Sequence, residues 1–83
     1  MTEGWDMDLS EPLTFHRDGE ARTLRTLDDA HGLLALHEPS EGDRELCQAA
    51  VTAVTKAAVS GQPSHRKMAT EQMRALLRSL GWL

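Results

Sequence analysis

Three features of the sequence predict an α+β domain, in which an N-terminal two-stranded antiparallel hairpin packs on three α-helices in the order ββααα. Between Leu13 and Leu24 apolar and polar side chains alternate around Asp18-Gly19, a dipeptide suited to the left-handed backbone of a two-residue hairpin turn. After Thr26 the apolar spacing changes to every third or fourth residue and continues to Leu80. Breakers at Pro39 to Gly42 and at Gly61 to Pro63 divide that stretch into three.

Residues 1–11 read as a flexible acidic arm: Glu3, Asp6, Asp8 and Glu11 carry all its charge, and Trp5 is its best anchor. Residues 12–83 then form one compact α+β domain. With Asp18 and Gly19 as the loop, Arg17 faces Glu20, Phe15 faces Arg22 and Leu13 faces Leu24. This register turns Leu13, Phe15 and Leu24 toward the core and leaves Thr14, His16, Ala21 and Thr23 on the other face. A lone hairpin is marginal in water, so helices must cover it.

Thr26 suits the N-cap of a first helix over about Leu27 to Leu36, with Asp28 and Asp29 in the first turn where carboxylates favour the positive helix end. Asp43 and Glu45 open a second helix. Its Leu46, Cys47, Ala50, Val51, Ala53, Val54, Ala57 and Ala58 form a wide apolar surface, which marks the element as central. Gly61 suits a left-handed cap, Pro63 prevents continuation, and Ser64 caps a third helix over about His65 to Leu80. There Ala69, Met73, Leu76, Leu77 and Leu80 point inward. Gly81 ends the helix, and Trp82 and Leu83 fold back as a plug.

The chain has 83 residues, 40% hydrophobic and 27% charged, the balance of one globular domain with little room for a second core. A chain this short buries only about two thirds of the surface its unfolded form exposes, so self-association would add stability. The longest apolar runs are far too short to span a bilayer, and the acidic N-terminus is unlike a signal peptide, so a cytoplasmic location is expected.

Four histidines and one cysteine raise the question of a metal. His31 and His37 stand six positions apart, not the three or four that place two ligands on one helix face, and there is no paired-cysteine motif. No metal or cofactor is therefore expected. Cys47 lies among Leu46, Ala50 and Val51, the setting of a structural thiol and not of a nucleophile. The six glycines are dispersed, so there is no phosphate-binding loop, and no catalytic residue is assigned. The expected interaction surface is Arg66, Lys67, Arg74 and Arg78 on the third helix. The net charge of −4 and the scarcity of aromatic residues make nucleic acid an unfavoured partner for it.

Trp5, Pro12-Leu13, Gly19, Asp29-Ala30, Pro39, Ala58-Val59-Ser60-Gly61 and Gly81 together resemble the pattern of a family of small bacterial proteins, domain of unknown function 982. The resemblance spans roughly Trp5 to Trp82. It departs at Glu38, where the family has tryptophan, at Thr55, where it has cysteine, and in the last helix, which lacks a clear Ala-Arg step. It implies a compact hairpin-plus-helices fold with no established activity and no catalytic residues to carry over. The reading is of a non-enzymatic protein-interaction or structural module whose partner is a second copy of itself or another protein. A nucleic-acid-binding regulator using the third helix is the alternative.

Overall fold

The computed structural model describes residues 4–37 and 40–83. Strands β1 (Asp8–Arg17) and β2 (Glu20–Thr26) pair antiparallel in the expected register: Leu13 opposite Leu24, Phe15 opposite Arg22, Arg17 opposite Glu20. Asp18 and Gly19 both take positive φ, 52° and 81°, the conformation that matches a two-residue turn to the twist of its strands. Asp tolerates this region and Gly has no Cβ to clash there. The inward face is dry, with Leu9, Leu13, Phe15 and Leu24 buried. Thr14 and Thr23 bond to each other across the exposed face, Oγ1 to Oγ1 at 3.1 Å.

Three helices follow: α1 (Leu27–Leu36), α2 (Arg44–Ser60) and α3 (Pro63–Ser79). The architecture is thus ββααα, with α3 packed on β1, α1 on β2, and α2 against both of those helices. No helix among the described residues is long and apolar enough to cross a membrane. The core joins the strand residues to Leu27 and Ala30 of α1, to Ala50, Val54 and Ala57 of α2, and to Ala69, Met73, Leu76 and Leu77 of α3. Alanines on both faces of the α2–α3 contact keep the side chains short there, which lets the helix axes approach.

Local chemistry sets the helix ends. Thr26 forms a full capping box: its Oγ1 accepts from the Asp29 amide at 3.1 Å, and Asp29 Oδ2 accepts from the Thr26 amide at 3.2 Å. Gly61 closes α2 in the left-handed conformation, φ 67°, as expected. The third helix starts earlier than expected. Gln62 is its N-cap and Pro63 its first residue, so Ser64 is not the cap. A proline ends the preceding helix yet fits the first turn of the next, where no amide hydrogen is needed and φ is already helical.

The arm expected over residues 1–11 has no boundary with the domain at residue 11. Asp8–Glu11 belong to β1, and Leu9 is buried. Upstream, the Gly4 amide donates to Ala58 O at 2.8 Å, while Met7 O and Trp5 O accept from the Leu27 and Asp28 amides. The first amides of a helix lack partners within it, and this segment supplies two. Its alternating Trp5, Met7 and Leu9 extend the period of two by several residues beyond Leu13. Glu3 and the breaker Pro39 lie outside the described residues.

Two further expectations need correction. Val51 is 41% exposed, because it lies on the flank of α2 away from the buried row of Cys47, Ala50, Val54 and Ala57. At the C-terminus only Trp82 acts as the plug, while Leu83 is half exposed. The Trp82 amide donates to Leu77 O and its carbonyl accepts from the His16 amide. Its ring stacks on Phe15 at 5.7 Å, with the Arg17 guanidinium 5.0 Å from its centroid.

Candidate functional site

The four basic residues expected to form an interaction surface share α3 but not one environment. Lys67 and Arg78 are exposed. Arg74 forms an ion pair with Glu11 of β1. Arg66 is half-buried, and its Nε is enclosed with no hydrogen-bond partner among the described residues. Its carbonyl accepts from the buried Thr70 hydroxyl at 2.9 Å, and Thr70 Oγ1 accepts from the Ser10 amide at 2.9 Å. This part of α3 therefore fastens β1 in place, and only part of the positive face is left for a ligand.

A second surface follows the outer flank of α2. Val51 and Val59 are 41% and 68% exposed and stand two helical turns apart, with Thr55 between them. Grooves on this flank share Val51 and Thr52, one running toward Leu34 and Arg44, the other toward Val59 and His65. The central stripe carries no charge.

The structure also assembles a polar cluster that no sequence motif marked. His37 is the C-cap of α1, Asp43 the N-cap of α2, and Cys47 sits one turn into α2. His37 Nε2 lies 3.2 Å from Asp43 Oδ2, and the Ser40 hydroxyl donates to Asp43 Oδ1 at 3.0 Å. One potential ligand atom from each of His37, Asp43 and Cys47 falls within 4.8 Å of the other two. Asp43 is only 5% exposed, and its side chain makes no capping bond to α2. The carboxylate has turned from the cap toward the histidine.

Burial works to raise the Asp43 pKa, but hydrogen bonds from His37 and Ser40 outweigh it and hold the carboxyl below its ordinary value. Burial pushes the Cys47 thiol up, and the negative charge of Asp43 pushes the same way. A reactive nucleophile requires the opposite shift.

Counting histidine spacings could not find this cluster, because its members come from both sides of the α1–α2 connection. The signal available was Asp43 and Cys47 four positions apart on one helix face, with His37 at the end of the preceding helix. The other histidines lie elsewhere: His16 on the exposed sheet face, His31 with its ring 4.8 Å from that of Trp5, and His65 beside Ser60.

Comparison with known proteins finds no matching family model, no matching curated protein and no matching solved structure.

Proposed function

We propose that this protein is a non-enzymatic interaction module that associates with a second copy of itself through the outer flank of α2, acting in the cytoplasm. The exposed Val51–Thr55–Val59 stripe carries the reading. An uncharged stripe can meet its own copy about a two-fold axis with its charged neighbour Lys56 kept to the rim, which matters in a chain of net charge −4.

Area sets the expected strength. A standard interface covers about 800 Å² per partner, whereas one face of a 17-residue helix presents only a few hundred. The interface is therefore at the small end of the range, and a transient association is expected. Sedimentation across micromolar concentrations is expected to show a monomer–dimer equilibrium that Val51→Glu and Val59→Glu each abolish. A monomer at every concentration, or a dimer indifferent to both substitutions, would overturn the reading.

Nucleic acid is the weaker alternative for Arg66, Lys67, Arg74 and Arg78, because Arg74 is paired with Glu11 and Arg66 is half-buried. Kinship with the family of domain of unknown function 982 is likewise proposed, on the Trp5-to-Gly81 pattern and the hairpin-plus-helices fold that it implies.

A further inference from the structure

We propose that His37, Asp43 and Cys47 form a three-ligand site for a divalent metal ion of the zinc class, with the fourth position open to the groove beside α2. The inference does not rest on self-association, although the groove to which the fourth position opens is lined in part by Val51 and Thr52 of the same flank.

Geometry comes first. Zinc bonds of about 2.0–2.3 Å to N, O and S in a tetrahedron place ligand atoms roughly 3.3–3.6 Å apart. The His37 and Asp43 atoms already stand 3.2 Å apart, and all three atoms lie within 4.8 Å of one another. Closing the remaining gap takes side-chain rotation of about 1 Å, within staggered wells. The backbone beneath is anchored: the His37 amide donates to Leu33 O at 3.0 Å, and the Cys47 amide to Asp43 O at 2.9 Å.

The donor set selects the ion. Imidazole, thiolate and carboxylate are the three donor types zinc takes, whereas calcium and magnesium take oxygen alone. Copper(I) prefers more sulfur than one cysteine provides. Charge agrees with this choice, since a thiolate and a carboxylate together neutralise a dication and leave no net charge in a largely buried place.

The metal-free cluster shows how the exchange balances. With Asp43 ionised, His37 donates its Nε2 proton to the carboxylate. When the ion binds, that proton leaves Nε2, and the Cys47 thiol proton leaves to solvent. At least one proton, that of the thiol, is released per ion. His37 and Cys47 both line the groove that continues past Leu34, Arg44 and Gln48, so a water can fill the fourth position from that side. The bound ion would join the end of α1 to the first turn of α2.

Cobalt(II) is the probe, because zinc is spectroscopically silent. The full-length protein, reduced and treated with chelator, is expected to bind one cobalt ion with a thiolate-to-metal charge-transfer band. Calorimetry in buffers of different ionisation enthalpy should report proton release on binding, which Cys47→Ser diminishes. Cys47→Ser should abolish the band, and His37→Gln and Asp43→Asn should each weaken binding by more than roughly tenfold, the least that even an outer-shell partner costs. His65→Gln should change nothing. Circular dichroism confirms the fold of each variant, and Cys47→Ser, which keeps the side-chain shape, suffices if Asp43→Asn does not fold. No band at millimolar cobalt, a band that survives Cys47→Ser, or binding of several ions lost in His65→Gln would each overturn the proposal.

Discussion

The face where α3 meets the hairpin and the junction between α1 and α2 are built by opposite means. At the first, Leu13 and Phe15 of β1 meet Ala69, Met73, Leu76 and Leu77 of α3 in a dry layer, and Thr70, the one fully buried polar residue described there, has both its hydrogen bonds made. At the second, Leu33 and Leu34 are only partly buried, and the contact is completed by His37, Asp43, Ser40 and Cys47. The dry layer is secured by area removed from water, a non-directional term that tolerates little besides loss of volume. The junction is secured by directional polar contacts, whose strength depends on protonation and on what they bind. In so small a domain the packed side supplies most of the buried apolar core.

The largest expected effect tests the dry side. Phe15→Ala removes a ring that is 1% exposed and stacks on Trp82, and should cost about 3–5 kcal/mol in urea denaturation. That is a large part of the roughly 5–15 kcal/mol available to a domain. A cost below about 1 kcal/mol would mean that the layer collapses to fill the space, and the contrast would fail.

Thr70→Val keeps the shape of the side chain but leaves the Ser10 amide without its acceptor. A loss of about 1–3 kcal/mol is expected, read from the urea midpoint. An unchanged midpoint would show that water replaces the hydroxyl and that β1 is held by apolar burial alone. Thr26→Ala, which removes half of the capping box, should cost about 1 kcal/mol, measured in the same way.

The smallest effect sharpens the junction side, with chelator present throughout. Because the folded Asp43 carboxyl sits below its ordinary value, its contribution to stability is complete above that value and is lost as pH falls through the folded pKa. Stability against urea should thus fall in acid, and the step assigned to Asp43 should be missing in Asp43→Asn. An identical acid profile in both proteins would show that the polar contacts do not hold the junction.

Much of this organisation was legible in the residues, for identifiable reasons. The hairpin register followed from Asp18-Gly19 and the period of two, because both are properties of neighbours along the chain. The cap at Thr26, the span of α1 and the turn at Gly61 followed in the same way. Pro63 misled because one residue can stop one helix and start the next. The anchoring of the N-terminal segment at Trp5 was legible, but not its hydrogen bonds, because their partners, the amides of Leu27 and Asp28 and the carbonyl of Ala58, are distant in sequence. The basic residues of α3 looked like one surface until β1 supplied Glu11 to Arg74 and enclosed part of Arg66.

What the amino-acid order determined alone was the identity, the order and most of the ends of the five elements, since periodicity, turns and caps act within a few residues. The tertiary structure decided which side chains meet across elements: Trp82 on Phe15, Thr70 beneath Ser10, and His37 against Asp43 and Cys47. Those meetings depend on how whole helices pack, a property of the shared buried volume that no local pattern encodes.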